Sequence, residues 1–122
     1  MIAERMARIR IGDPLDPEVQ FGPVISDRHW KTVHGHLSNA ATLGLTRLEV
    51  PAPTLPETGF FIAPTVFLGV DRELNLAQEE IFGPVVTVSE FADEDEALHI
   101  ANGTPYGLAT TVWTTNLQRA IK

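Results

Sequence analysis

Two proline-rich stretches divide this sequence and limit what can form between them. "GDPLDPEVQFGP" (Gly12 to Pro23) and "PAPTLPETG" (Pro51 to Gly59) each carry three of the nine prolines. Proline fixes its own φ, has no amide proton to donate, and pushes the preceding residue out of the helical region. The first stretch is too punctuated for regular structure and the second must be a loop. Before the first, Ile2, Met6 and Ile9 recur at spacings of four and three, which predicts the last turns of an amphipathic helix ending at Gly12 and Pro14.

Between the two stretches, Ser26 predicts an N-cap. Trp30, Val33, Leu37 and Ala40 follow it at helical spacing, and Gly44 closes the segment. Gly35 inside this helix costs about 1 kcal/mol relative to alanine. "TRLEV" (Thr46 to Val50) predicts a short strand. "FFIAPTVFLGV" (Phe60 to Val70) reads as extended and mostly buried, with Pro64 at an edge or bulge because it cannot donate to a ladder. "DRELNLAQEE" is a helical turn or loop, and Val85 to Phe91 predicts a strand. Asp93 with Glu96 three residues on predicts a capping box. The helix it opens buries Ala97, Leu98, Ile100 and Ala101 and stops at Asn102-Gly103. Leu108 to Thr114 predicts a further strand, and "NLQRAIK" begins a helix. Strands that alternate with helices give the α/β class, and no repeat or low-complexity tract interrupts them.

The 122 residues are 43% hydrophobic and 20% charged, the balance of a soluble globular domain rather than a disordered chain. A net charge of −7 argues against nucleic acid as a partner, since phosphate contacts need clustered Lys and Arg. Nine acids against one base lie between Asp71 and Glu96, a pattern that usually marks a solvated face. No run approaches the ~18 apolar residues of a membrane span. The N-terminus lacks the apolar core of a secretory signal. The expected location is cytoplasmic, with no membrane partner. The absence of cysteine is compatible with that compartment, and it removes disulfides, thiolate metal sites and a thiol nucleophile together.

Four histidines raise the question of a metal. His34 and His36 lie nearly opposite one another around a helix. His29 and His36 share a face but are separated by about 10 Å of rise, too far for two ~2 Å bonds to one ion. His99 falls in another helix, so no metal site is expected. Phosphate cradles are absent as well, because no two glycines are spaced for G-x-G-x-x-G and no Gly-Lys pair exists. None of the three serines sits in G-x-S-x-G, and no nucleophile with an activating base can be assembled from this chain.

What remains is "LAQEEIFGPVVTV" (Leu76 to Val88), with two acids and an aromatic at the mouth of a strand. A carboxylate there can accept two hydrogen bonds from a vicinal diol such as a ribose. Phe82 can pack on a flat heterocycle, and Gly83-Pro84 can fix the turn. Alternatively one acid is exposed, the other pairs with an arginine, and Phe82 belongs to the core. Spacing alone favours the alternative.

"QEEIFGPVV" resembles the signature around the nicotinamide ribose in NAD(P)-dependent aldehyde dehydrogenases. "GDPLDPEVQFGPVIS", "GFFIAPTVF" and "FADEDEALHIANGTPYGLATTVWT" are similar to that family in its order and at about its spacing, from about Ile9 to Lys122. The resemblance implies that Glu80 hydrogen-bonds the nicotinamide ribose hydroxyls and that Phe82 lies against the cofactor. His29 stands where family members often place Gln or His near the same ribose. Glu79 is implied to anchor the loop, and Tyr106, Gly107 and Leu108 to pack. In the family a cysteine thiolate attacks the aldehyde, hydride passes to NAD(P)+, and a glutamate assists hydrolysis of the thioester.

This chain has no cysteine, so it offers no catalytic residue of its own. The expectation is a single partial catalytic domain over residues 1–122, an open sheet with flanking helices. The dinucleotide-binding domain, the catalytic cysteine segment and the C-terminal oligomerisation segment are all outside it. The parent enzyme would oxidise an aldehyde to a carboxylic acid with NAD or NADP. This chain alone is expected to be inactive, to bind cofactor weakly or not at all, and to self-associate as a homo-oligomer through core left exposed. The alternative is a non-catalytic, stand-alone remnant that oligomerises or binds a partner.

Overall fold

The computed structural model describes residues 1–121, and these fall into two compact units, Met1–Glu90 and the residues from Phe91 onward. No helix among the described residues is long and apolar enough to cross a membrane.

In the first unit, helix α1 (Ile2–Met6) is shorter than the periodicity predicts and buries nothing. The connector behind it is more ordered than its prolines suggest. Ile11 and Phe21 form a parallel bridge, and the Gly12 amide donates to the Phe21 carbonyl. Asp13 and Asp16 close local turns by accepting from the amides of Leu15 and Glu18. Helix α2 (Asp27–Thr42) begins where expected, with the Ser26 hydroxyl accepting from the His29 amide at 3.2 Å. It ends before Gly44, whose φ of 67° supplies the left-handed residue that terminates a helix cleanly.

Three short strands follow. β1 (Thr46–Arg47) pairs antiparallel with β2 (Thr65–Leu68), and β2 pairs parallel with β3 (Val85–Val88), in the order β1-β2-β3. The chain is thus α/β with a small mixed sheet. All three strands are shorter than the sequence predicts. The backbone of Phe60 to Pro64 is committed elsewhere: the Phe60 carbonyl accepts from the Val24 amide at 2.9 Å, the Phe61 carbonyl from the Trp30 indole at 3.0 Å, and Pro64 has no donor. At the other end Gly69, with φ 61°, bends β2 away after a last bond to Val88, so β3 loses its partner there.

Parallel strands require a crossover. Here the chain between β2 and β3 includes helix α3 (Asn75–Gln78) and then the acidic loop. Ala40 of α2, Phe67 and Val70 of the β2 segment, and Leu76 of α3 form the buried centre, with Leu37, Ala77, Ile81 and Val85 packed around it.

The second unit opens as predicted. Asp93 accepts from the Glu96 amide at 2.9 Å, and the Glu96 carboxylate accepts from the Ala92 amide at 2.6 Å. Helix α4 (Glu94–Ala101) follows, and within this unit Glu94 pairs with Arg119 of α5 (Leu117–Ile121). Two expectations fail. None of Ala97, Leu98, Ile100 and Ala101 is buried, because a unit this small has no second layer to cover them. Leu108 to Thr114 forms no strand, since no neighbour supplies the ladder its amides and carbonyls need; Leu108 is 98% exposed and Trp113 92%. Lys122, the end of the predicted terminal helix, lies outside the described residues.

Candidate functional site

Helix α2 presents His29, Val33, His36 and Ala40 at spacings of four, three and four, a single row along one face. The chain from Leu76 to Pro84 runs back along that row. Ala40 shares the core with Leu76 and Ala77. Next, His36 Nε2 stands 3.7 Å from Glu79 Oε2. Gly83 then lies directly on Val33, so closely that a Cβ there would sit 2.9 Å from a valine methyl. At the start of the helix, His29 faces a cleft of about 420 Å³ bounded by Phe21 to Val24, Ile62 and Phe82 to Pro84. That volume is in the range of small-ligand pockets.

Phe82 has φ 52°, a left-handed conformation that costs a residue with a Cβ roughly 1–2 kcal/mol. The strain turns its ring out of the core, where it is 77% exposed and forms part of the cleft rim. Such outliers persist where the surrounding structure over-determines them. Here Ile81 packed on the core and Gly83 on Val33 fix both neighbours.

Glu80 is exposed. Among the described residues its carboxylate makes no hydrogen bond or ion pair, and it lies two residues before the rim rather than in the cleft wall. His29 is the complementary case. Its Nε2 is buried and has no hydrogen-bond partner among the described residues. A buried polar atom left unpaired costs roughly 1–3 kcal/mol, so this nitrogen is suited to a partner that the chain does not provide. An unpaired acid, an outward aromatic and an orphaned imidazole fit a polyhydroxylated ligand with a flat ring.

The three singled-out residues therefore belong to one region, His29 and Phe82 on the same cleft and Glu80 beside it. The alternative drawn from spacing is half right. Both acids are exposed, Glu79 meets a histidine instead of an arginine, and Phe82 is not core. His36 is the residue that sequence reasoning missed, although the shared face of His29 and His36 was visible in their spacing. His34 is taken up by stacking on Trp30, with ring centroids 3.8 Å apart. No three His, Asp or Glu side chains among the described residues converge as a metal site.

A model of the aldehyde dehydrogenase family matches residues 1–122. The chain belongs to that family. It is 42% identical over 126 residues to 5-carboxymethyl-2-hydroxymuconate semialdehyde dehydrogenase of Escherichia coli, covering 98% of this chain and 27% of that protein. It is 43% identical over 122 residues to betaine aldehyde dehydrogenase of Mesorhizobium japonicum, covering 98% and 25%. Among solved structures, the Mycobacterium tuberculosis aldehyde dehydrogenase complexed with NAD+ superposes with a TM-score of 0.86 at 39% identity, again over 98% of this chain and 25% of that one. The chain thus spans about a quarter of the length of the aldehyde dehydrogenases it matches.

Proposed function

We propose that these 122 residues form one part of the catalytic domain of an NAD(P)-dependent aldehyde dehydrogenase, and that Glu80, Phe82 and His29 hold the nicotinamide riboside end of the cofactor. The observation that carries this reading is the uncommitted Glu80 carboxylate beside the cleft shared by Phe82 and the orphaned His29 Nε2. Glu80 accepts hydrogen bonds from the ribose hydroxyls, His29 supplies a further polar contact, and Phe82 covers the ring face. When bound, NAD(P)+ supplies the hydride acceptor for oxidation of an aldehyde to a carboxylic acid. The sequence holds no cysteine, so the nucleophile and the base that activates water belong to polypeptide outside these residues. The dinucleotide-binding domain and the oligomerisation segment are likewise outside this single partial catalytic domain.

Its location is cytoplasmic, and its small-molecule substrate is an aldehyde of the parent enzyme. The purified chain is expected to show no NAD(P)-dependent oxidation of any aldehyde; measurable turnover overturns the assignment of the chemistry to missing residues. Sequencing the flanking DNA in all frames adds an independent check, because a cysteine-bearing catalytic stretch upstream supports the partial-domain reading.

A second reading, a non-catalytic remnant that self-associates, draws on one observation. Leu108, Val112, Trp113 and Leu117 are exposed in the second unit. Sedimentation that returns a monomer at every concentration removes it.

A further inference from the structure

Resting on the reading of Glu80 and Phe82 as cofactor contacts, we propose that His36 is a positioning residue, acting through Glu79 to hold the loop that presents them. The loop from Gln78 to Val85 is extended at its start, with Glu79 at φ −111° and ψ 146°. Successive side chains in extended backbone point to opposite faces. Glu79 and Ile81 accordingly meet the body of the unit, on His36 and on the core. The left-handed Phe82 breaks the alternation, and Gly83 beyond it rests on Val33. Glu80 falls on the other face, and Phe82, left-handed, is exposed as well; Glu79 is also solvent-accessible, and what sets it apart is its contact with His36.

Each presented residue is therefore flanked by two tethers. Ile81 is common to both, Gly83 completes the pair around Phe82, and Glu79 completes the pair around Glu80. Of the three tethers only Glu79 is polar, and its partner is a side chain just 18% exposed on the middle of α2. The helix fixes that imidazole, so the contact orients the loop and not the reverse. At 3.7 Å it is an electrostatic contact rather than a hydrogen bond, and it becomes an ion pair when His36 is protonated. Among the described residues no other hydrogen bond or ion pair holds the half-exposed Glu79 side chain against the helix. When the contact is removed, the Glu79 amide stays bonded to the Asn75 carbonyl at 2.9 Å, so what is lost is the hold on the side chain and on the peptide that leads to Glu80.

The test uses the 15N-labelled full chain titrated with NAD+ at millimolar concentration, read at the amides of His29, Glu80 and Phe82. Three variants are compared, His36→Gln, Glu79→Gln and the exchanged pair His36→Glu with Glu79→His. Both single variants should weaken the NAD+-dependent shifts, raising the apparent Kd about twofold to fivefold, the span of a partly exposed ion pair. The exchanged pair should restore them. Glu79→Gln alters only a half-exposed side chain, so it reports even if the His36 variant fails to fold. Unchanged titrations in both single variants overturn the positioning role while leaving the cofactor reading intact. So does a loss that the exchanged pair does not recover. NAD+-dependent shifts that fall elsewhere and not at His29, Glu80 and Phe82 overturn the cofactor reading, and the positioning role with it; with no shift anywhere, the Glu80 and Phe82 amide resonances of His36→Gln must still differ from those of the parent chain, or the positioning role falls.

Discussion

Replacing Gly83 with alanine should destabilise the first unit through a single collision. A Cβ on Gly83 would lie 2.9 Å from Val33 Cγ2 and 3.0 Å from Cγ1, distances that real Cβ atoms do not sustain. Val33 is fully buried and cannot swing aside. Gly83 does not lie in the left-handed region, so the requirement for glycine is one of space and not of backbone conformation. Overpacking of this kind costs about 1–3 kcal/mol. Alanine also restricts the unfolded chain, which returns roughly 0.4–1 kcal/mol. The net expectation is a loss of about 1–2 kcal/mol, and each kcal/mol lowers the melting temperature of a domain this size by roughly 4–8 °C. Urea denaturation followed by circular dichroism measures it. A second background isolates the cause. Val33→Ala removes the two methyls that the new Cβ meets and leaves Val33 Cβ at 3.6 Å, an ordinary contact. In that background Gly83→Ala should cost less than about 0.5 kcal/mol, a coupling of the size that touching residues show. If Gly83→Ala is as stable as the parent, or costs the same in both backgrounds, the close approach of loop and helix is wrong.

Ser26→Ala removes the acceptor for the His29 amide and should lower stability by about 1 kcal/mol in the same urea assay. Phe82→Ala should change stability by no more than about 0.5 kcal/mol, because the ring is largely exposed, yet abolish the NAD+-dependent shift at the His29 amide.

Elements whose signals are local were legible in the sequence. The Ser26 and Asp93 caps depend on one side chain and an amide three residues away, and both are present. Helix α2 follows from its apolar spacing. Strand lengths were not legible, because a strand persists only while its neighbour does. Phe60 to Pro64 has strong β composition, but its carbonyls bond Val24 and Trp30, groups more than thirty residues away in sequence. Leu108 to Thr114 has equally strong composition and, among the described residues, no strand to pair with. The site divides in the same way. Resemblance of "QEEIFGPVV" to a family signature gave Glu80 and Phe82, whereas the left-handed φ of Phe82 and the contact of Glu79 with His36 arise only when the loop lies on α2.

The adjacent pair Glu79-Glu80 shows why composition could not separate their roles. The two residues are chemically identical and neighbouring, so any argument from residue type or local charge treats them alike. The pleat separates them. One is drawn to a helix by a histidine seven residues from His29, and the other, among the described residues, has no hydrogen-bond or ion-pair partner on the opposite side of the loop. All of the contacts that produce this division lie within Met1–Glu90. On the proposed reading, presentation of the cofactor groups would be a property of these residues, while the thiol nucleophile would not, since the sequence holds no cysteine. A chain of this kind should recognise part of a nucleotide at the right residues and bind it weakly, because one wall of a pocket cannot exclude water from the ligand it touches.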